Sequence, residues 1–259
     1  MLPVERRQRT VQLLEKNGSV RVADLCLEFG VADETVRRDL LQLEDEGLLE
    51  RTHGGAILPK GVRVAVPYDR RREERREAKE AIARSAVDLV ADGSSVLLDN
   101  GTTTLQIARA LRDKRSSITA VTTSPAVAIE ALAIENSRVI MTGGVLDRDS
   151  MSLIGPDATR FLQKITVDIA FIGVSGVTPE KGFTASSVYD SEIKRLMLTT
   201  AETVVVVADG SKVGVSSLVP FADVGEVDLL LTDTGAPPET VSRLKALGLT
   251  VKQARSHRS

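Results

Sequence analysis

Four short polar segments of the sequence follow apolar runs, and their residue types suit the binding of one small polar ligand. The most informative is residues 99–104, in which a carboxylate, an amide and a glycine precede three threonines. A glycine turn that opens a helix presents free backbone amides and the positive end of the helix dipole, which suit a phosphate group. Because Asp99 would repel an anion, we expect its carboxylate to accept hydrogen bonds from hydroxyl groups of a sugar whose phosphate lies further into the turn.

The other three segments are residues 122–124, 142–144 and 209–212, which contribute hydroxyls, glycines, a carboxylate and a lysine. The carboxyl ends of parallel strands share one edge of an open sheet, and ligands bind at that edge. Each segment alone is also compatible with an ordinary turn, so the prediction of a ligand rests on all four together. The segments supply the candidate ligand contacts Asp99, Gly101, Thr102, Thr103, Thr104, Thr123, Gly143, Gly144, Asp209 and Lys212.

Other kinds of site are disfavoured by what the sequence lacks. Residues 99–104 have neither the Gly-Lys-Ser/Thr ending of a P-loop nor a Gly-x-Gly-x-x-Gly pattern, which argues against a bound nucleotide. The single cysteine and the two distant histidines, His53 and His257, argue against a zinc site and a hydrolytic triad. We therefore expect no cofactor and no metal ion.

A second group of residues, near the N terminus, has the pattern of a DNA-binding element. Residues 33–46 are predicted to form a helix with Val36 and Leu40 on its inner stripe. Arg38 lies almost opposite that stripe, and Arg37 flanks it. Recognition helices place their N-terminal residues against base edges, and an arginine can pair with guanine through two hydrogen bonds. The alternative is a three-helix unit whose arginines are simply solvated.

The flanking residues favour the DNA-binding interpretation. Thr35 and the free amides at the start of the helix suit a phosphate contact. A Gly-Gly pair follows Arg51 and His53, and it predicts a β-hairpin wing that contacts the DNA backbone or the minor groove. Residues 1–57 carry more acidic than basic side chains, but the acidic cluster 44–46 lies at the far end of the helix. The arginines thus lie at the end of the helix that would face DNA and the acidic residues at the other end, which is the arrangement expected of a winged helix-turn-helix.

From residue 95 onward, strand-length segments alternate with helix-length segments. The strand segments are rich in β-branched residues and lack a period of two, which predicts a parallel α/β sheet buried on both faces. A charged segment, residues 69–91, is predicted as one long helix before this sheet. The predicted helices are 4–16, 22–29, 103–112, 125–134, 187–201 and 238–247, and the predicted strands are 96–98, 118–122, 138–141, 167–174, 203–208 and 227–231.

The length of 259 residues fits one large domain or two smaller ones, and the composition, 42% hydrophobic and 27% charged, is that of a globular protein. The only cysteine, Cys26, excludes an intrachain disulfide and fits a reducing compartment. The N terminus lacks the apolar core of a signal peptide, and no apolar run approaches the roughly 18 residues of a membrane span, so we expect a cytoplasmic protein with no membrane partner. The predicted divisions are a winged helix-turn-helix domain (1–58), a linker (59–72), an α/β domain (73–254) and a tail (255–259).

These segments resemble the DeoR family of bacterial transcriptional regulators over about residues 3–233. The resemblance to the family's N-terminal signature lies in residues 35–40, 43–44, 47–48 and 51–56. The resemblance to its C-terminal sensor domain lies, in order and spacing, in Arg71 and residues 79–82, 99–104, 143–144, 155–156, 168–173 and 209–212.

The resemblance implies a sensor domain similar in fold to ribose-5-phosphate isomerase. It implies a sequence-specific regulator, often a repressor of carbohydrate-utilisation genes, whose partners are double-stranded operator DNA and a phosphorylated sugar-like effector. Lys79 joins the effector contacts by its match to the family, whereas Arg71 and Lys194 are weaker candidates because a charged helix face is usually solvated. Operators mirror protein symmetry, so a homo-oligomer, a dimer or tetramer, is expected.

The competing hypothesis is a sugar-phosphate isomerase fused to a DNA-binding domain. Isomerisation needs a carboxylate base beside the reacting carbon, and the isomerases that the chain resembles carry an acid-rich loop after the strand equivalent to residues 167–171. Residues 172–176 are Ile-Gly-Val-Ser-Gly instead, and no acid occurs before Glu180. The sequence therefore favours binding without turnover.

Overall fold

The computed structural model describes residues 2–45, 48–58, 68–114, 117–148 and 150–255. Below, the N-terminal domain means the described residues up to 58, and the C-terminal domain means those from 68 onward. The elements of the N-terminal domain are α1 (Pro3–Asn17), β1 (Ser19–Arg21), α2 (Val22–Phe29), α3 (Asp33–Asp45), β2 (Glu50–Thr52) and β3 (Gly55–Ile57).

The three helices of the N-terminal domain enclose a small aliphatic core, as predicted. Val36 and Leu40 of α3 are each 1% exposed, and they pack with Leu14 of α1. A buried ion pair fixes α1 to α3, since the Arg6 guanidinium donates to both carboxylate oxygens of Asp39 at 2.5 and 3.1 Å. This two-bond geometry sets the position of α3 relative to the rest of the domain.

The predicted wing is confirmed as β2 and β3, joined by the two-residue turn 53–54. β3 lies in the middle of a three-stranded sheet, because β1, which was not predicted, pairs with its other side. A Cβ atom on Gly55 would lie 1.9 Å from the carbonyl oxygen of Val20, so this position requires glycine. The backbone of β1 therefore holds the base of the wing.

The prediction of one long helix over residues 69–91 is wrong. Two helices occur instead, α4 (Tyr68–Glu73) and α5 (Arg76–Val87). Arg75 interrupts them with a left-handed backbone (φ 51°). Residues 59–67 of the predicted linker and residues 256–259 of the predicted tail lie outside the described residues, and the domain boundaries stay a prediction.

The C-terminal domain contains the predicted parallel sheet, with seven strands in the order β15-β14-β12-β9-β4-β5-β6. The chain adds β5 and β6 on one side of β4 and then places β9, β12, β14 and β15 on the other side. The strand order therefore reverses between β4 and β9, and such a reversal opens a crevice at the carboxyl ends of the two strands. The strands are β4 (Ser95–Leu98), β5 (Thr119–Thr122), β6 (Arg138–Met141), β9 (Val167–Gly173), β12 (Ala201–Val207), β14 (Leu229–Asp233) and β15 (Thr250–Ala254).

Helices cover both faces of the sheet and bury its aliphatic side chains in two clusters. Neighbouring residues of β4 point to opposite faces, so Leu98 packs with α5, α6 and α7, and Leu97 packs in the cluster of α8, α9 and α10. The bounds are α6 (Thr102–Lys114), α7 (Pro125–Leu132), α8 (Pro156–Leu162), α9 (Val188–Thr200) and α10 (Pro238–Ala246).

The shortest elements were not predicted, because segments of three to seven residues show no clear periodicity. They are helix α8, an antiparallel hairpin and an antiparallel three-stranded sheet, and the hairpin and this sheet lie beside the crevice. The hairpin is β7 (Val145–Asp147) with β8 (Ser152–Ile154), and the sheet is β10 (Gly176–Thr178), β11 (Gly182–Ala185) and β13 (Val219–Ala222).

Candidate functional site

A cavity of about 120 Å³ lies at the point where the strand order reverses. Its floor is made by the residues that follow β4 and β9, namely Asn100 and Gly101 on one side and Val174 and Ser175 on the other. The first turns of α6 and α9, the turn after β12, the α4–α5 break and the hairpin form its walls. The polar segments after β4 and β12 thus meet there, as the sequence predicts.

A buried cluster of charges, centred on Lys194 of α9, forms one end of the cavity. The Lys194 ammonium donates to Asp99 Oδ2, which also accepts a hydrogen bond of 2.8 Å from the Gly173 amide. Asp190, one turn earlier on α9, places Oδ1 at 3.6 Å from the same ammonium. Asp99 is fully buried and Lys194 is 4% exposed, so one lysine lies between two carboxylates with little water.

Burial and charge act in opposite directions on this cluster. Burial disfavours the ammonium of Lys194, but the carboxylates of Asp190 and Asp99 more than compensate, and the pKa of Lys194 is raised. Burial raises the pKa of Asp190, which Lys194 opposes and Asp99 reinforces. Lys194 therefore stays charged and holds the cluster together.

Lys79 also lines the cavity, and it stabilises the break between α4 and α5. Its ammonium donates to the backbone carbonyl oxygens of Arg71 and Glu74, the latter at 2.6 Å. Burial lowers the pKa of Lys79; Asp209 counteracts this, while Lys212 and Arg71 lower the pKa further. Three cationic side chains therefore lie near one another along this side of the cavity.

The turn after β12 carries Asp209 and Lys212 into the cavity wall. The Asp209 carboxylate accepts hydrogen bonds from the amide and hydroxyl of Ser211, at 3.1 and 2.5 Å. A Cβ atom on Gly210 would lie 2.4 Å from the backbone of residues 235–236, and its amide donates to Asp233 at 2.5 Å. The turn is therefore held from both sides, and the position of Asp209 is fixed.

The first turn of α6 presents unsatisfied donors to the cavity. Gly101, Thr102 and Thr103 line it, and no acceptor among the described residues meets the amides of Thr102 and Thr103. Among the buried side-chain atoms that lack a hydrogen-bond partner within the described parts of the chain, three belong to residues that line or border the cavity: Asp99 Oδ1, Asp190 Oδ1 and Arg71 Nε. A ligand that both accepts and donates hydrogen bonds would satisfy these groups.

The structure brings together only part of the predicted ligand site. Lys79, Gly101, Thr102, Thr103, Asp209 and Lys212 line the cavity, and Asp99 borders it through Lys194.

The remaining predicted contacts lie away from the cavity. The Thr104 hydroxyl donates to the carbonyl oxygens of Asp99 and Gly101, at 2.6 and 2.7 Å, and thus closes the turn. Thr123 follows β5, and residues 143–144 follow β6, one and two strands away from β4. The expectation that all four strand ends converge is not met, because the segments after β4 and β12 line the cavity and those after β5 and β6 do not. The end of β5 is covered by the hairpin instead, since the Leu153 amide donates to the carbonyl oxygen of Thr123 at 2.8 Å.

Several cavity residues were missed or undervalued from the sequence. Lys194 and Arg71 were ranked low as solvated helix charges, yet Lys194 is buried and both line the cavity. The spacing of Asp190 and Lys194, four residues apart on α9, is the signal that would have identified the pair. Gln12 also lines the cavity although it belongs to α1, and no local motif marks it.

The exposed face of α3 has the features predicted for DNA recognition. Arg38 is exposed and has no ion-pair or hydrogen-bond partner among the described residues. Arg37 pairs with Asp33, and this hydrogen bond and charge raise the pKa of Arg37. Asp33 is the first residue of α3, and its carboxylate accepts hydrogen bonds from the Arg37 guanidinium. Thr35 is half-buried. Arg38 is therefore the more available of the two arginines.

The wing carries its charged residues at the domain surface. Arg51 is held by Glu44 of α3, which accepts a 2.8 Å hydrogen bond from the Arg51 amide and lies 3.8 Å from its guanidinium. Glu44 thus orients the wing, a role that its place in the acidic cluster did not suggest. His53 is exposed in the two-residue turn. Within the described residues, no helix has the length and apolar character needed to cross a membrane.

Both domains match known protein families. The model of the DeoR-like helix-turn-helix domain matches residues 6–62, and that of the DeoR C terminal sensor domain matches residues 74–234. Among solved structures, ribose 5-phosphate isomerase A from Methanocaldococcus jannaschii is 22% identical and aligns over 52% of each chain, with a TM-score of 0.38.

Curated relatives match almost the whole chain. The HTH-type transcriptional regulator GlpR of Haloferax volcanii is 39% identical over 97% of this chain and 98% of its own. A putative aga operon transcriptional repressor of Escherichia coli O157:H7 is 35% identical, with 95% and 92% covered. The glycerol-3-phosphate regulon repressor of Escherichia coli K12 is 31% identical, with 92% and 93% covered. These relatives are regulators rather than enzymes, and with both domains matched, the chain belongs to the DeoR family of DNA-binding transcriptional regulators.

Proposed function

We propose that this protein represses a carbohydrate-utilisation operon and that a phosphorylated sugar-like effector controls its binding to the operator. The observation that carries the proposal is the cavity at the strand reversal, where free helix amides and cationic side chains occur together with carboxylate oxygens that accept no hydrogen bond from the described residues. A phosphate needs the first kind of group, and sugar hydroxyls need the second. One molecule with both ends would satisfy both.

The proposed orientation follows from where the charges lie. Free amides of α6, together with Lys79 and Lys212, favour the phosphate at that side of the cavity. Asp99 Oδ1 and Asp190 Oδ1 accept no hydrogen bond from the described residues and favour hydroxyl donors. Lys194 compensates the charge of these two carboxylates, and Lys79 and Lys212 outnumber Asp209 where the phosphate is proposed to bind.

The proposed DNA interface is the exposed start of α3 together with the wing. Arg38 contacts base edges in the major groove, Thr35 and Arg37 contact phosphates, and Arg51 and His53 contact the backbone or the minor groove. A homo-oligomer, a dimer or tetramer, would place two such domains on the half-sites of a symmetric operator.

The names of the relatives are compatible with this assignment. One is a repressor of a glycerol-3-phosphate regulon, and another is a putative aga operon repressor. Glycerol 3-phosphate carries the combination of a phosphate and neighbouring hydroxyls that the cavity suits. It is therefore the first compound to test, followed by triose, pentose and hexose phosphates.

The decisive experiment is thermal unfolding of the full chain with each phosphate ester, because a ligand that binds only the native state raises its melting temperature. We expect at least one ester to raise it, and the matching free sugar or glycerol to have less effect. Lys212→Ala should raise the Kd of that ester about tenfold or more, the loss expected from a charged hydrogen bond. The matched control is Lys252→Ala, an exposed lysine on β15. If no ester stabilises the protein, or if Lys212→Ala binds the ester as tightly as Lys252→Ala and the wild type do, the effector proposal fails.

A further inference from the structure

The N-terminal domain is packed against the C-terminal domain through an apolar contact beside the cavity. Leu218, just before β13, is 5% exposed and belongs to the core cluster of the N-terminal domain. Val188 and Val219 are partly buried against the same cluster. We name Val188, Leu218 and Val219 the docking triad. Apolar side chains of the C-terminal domain thus complete the core of its neighbour.

The docking triad is continuous with the cavity wall. Val188 is the first residue of α9, and Ser187, Tyr189 and Asp190 on either side of it line the cavity. Burial raises the pKa of Tyr189, with contributions from Glu192, Glu5 and Asp147, and Glu5 lies on α1 of the N-terminal domain. At the start of α9, Val188 therefore packs against the N-terminal domain, and the residues on either side of Val188 line the ligand cavity.

Docking brings one side chain of the N-terminal domain into the cavity itself. Gln12 of α1 lines the cavity, next to Val11, which is 2% exposed in the core of the N-terminal domain. The Gln12 carbonyl oxygen accepts a hydrogen bond of 3.2 Å from Arg9. Its NH₂ group is thereby left as the donor, which suits an oxygen atom of a ligand.

We propose that the ligand is bound between the two domains, with Gln12 as a direct contact and the docking triad holding α1 in place. This inference rests on the proposed function for the identity of the ligand, but not for the docking itself. A ligand that contacts both domains stabilises their docked arrangement by its differential affinity for that arrangement. The same contact couples ligand binding to the position of α3, because Arg6 and Asp39 join α1 to α3.

The docking is tested first without any ligand, by calorimetry of the full chain. Leu218→Ser should lower the melting temperature of the N-terminal domain by about 4 °C or more. In a domain of this size, a loss of about 1 kcal/mol in the free energy of unfolding is enough to produce that shift. The control is Leu132→Ser, since Leu132 is 68% exposed on α7 and is not part of the core cluster of the N-terminal domain. Equal traces for the two variants would overturn the docking.

The contact of Gln12 is tested with glycerol 3-phosphate, or with whichever phosphate ester stabilises the wild type. Gln12→Leu should raise its Kd roughly three- to tenfold, the loss of one hydrogen bond. It should also shrink the ratio of operator Kd values measured with and without the ester. Gln163→Leu, an exposed glutamine after α8, is the control and should change neither.

The outcomes separate this inference from the proposed function. If Gln12→Leu binds the ester and responds to it like Gln163→Leu, Gln12 is not a ligand contact and the shared site is refuted. If no ester binds the wild type, the proposed effector is wrong and the shared site falls with it. The calorimetric comparison of Leu218→Ser with Leu132→Ser still decides whether the domains dock.

Discussion

Replacing Lys194 with methionine would remove the ammonium that lies between Asp99 and Asp190. Methionine keeps most of the side-chain volume, so the change is mainly the loss of charge. Asp99 is fully buried and would remain without a compensating cation. Breaking a buried ion pair by removing one partner costs about 3–5 kcal/mol. For a domain of this size, that corresponds to a fall in melting temperature of roughly 6–20 °C.

The cost should depend on pH, and its sign follows from the raised pKa values. The raised pKa of Lys194 gives a stabilisation that is fully present at neutral pH and is lost as the pH rises through the native value. The pKa of Asp190 is also raised, so its contribution is present in acid and declines as the pH rises through the native value. Without Lys194, the pKa of Asp190 rises further, because burial and Asp99 raise it and the more weakly acting Arg71 remains to lower it. The deficit of the variant should therefore be largest near pH 7.5 and shrink toward about pH 4.

Urea unfolding of both proteins at about pH 7.5 and pH 4.5 measures this deficit directly. The double variant Lys194→Met/Asp99→Asn removes the buried charge of Asp99, though not that of Asp190, and should recover part of the lost stability. An equal deficit at both pH values, or a double variant no more stable than the single one, would refute the reasoning. The cluster would then contribute through packing rather than through charge.

Three further predictions concern DNA binding and the wing. Arg38→Ala should weaken binding to an operator selected from random duplexes by about 1–3 kcal/mol and relax base choice, measured by anisotropy with single-base variants; wild-type behaviour would exclude α3 as proposed. Raising the salt concentration should weaken operator binding steeply, with a linear plot of log K against log salt, because phosphate contacts release counterions; a flat plot would contradict an electrostatic interface. Gly55→Ala should destabilise the N-terminal domain, because its Cβ would lie 1.9 Å from the carbonyl oxygen of Val20, and unchanged thermal unfolding by circular dichroism would contradict this.

The sequence predicted the long elements well because their periodicity reports burial directly. The helices of the N-terminal domain and six strands of the parallel sheet agree with the structure to within a few residues. The break between α4 and α5 was missed because residues 69–91 are charged and contain no glycine or proline, the usual signals of a break. Arg75 adopts the left-handed conformation there, and Lys79 supports the break by donating to Arg71 and Glu74. A tertiary contact, not local propensity, determines this interruption.

The sequence predicted part of the lining of the cavity, and the role of these residues as ligand contacts stays a prediction. Strand-end motifs identified Gly101, Thr102 and Asp209, because residues after buried strands lie at the same edge of the sheet. They did not tell which strand ends remain open, and Thr123 and residues 143–144 were included although they follow β5 and β6 and do not line the cavity. The hairpin β7–β8 covers the end of β5, where the Leu153 amide donates to the carbonyl oxygen of Thr123. No local pattern at residues 122–124 encodes this tertiary contact.

The place of Gln12 in the cavity was even harder to predict from the sequence, because it depends on how the two domains pack. In sequence it is a polar residue of an amphipathic helix, 87 residues before Asp99. The packing of Val188, Leu218 and Val219 against the core of the N-terminal domain holds that helix beside the cavity. In an effector site built from both domains, a ligand contact on α1 would affect the DNA-binding helix α3 directly, because Arg6 of α1 pairs with Asp39 of α3. The coupling between ligand binding and DNA binding then depends on the free energy of docking, to which both the ligand and the docking triad contribute.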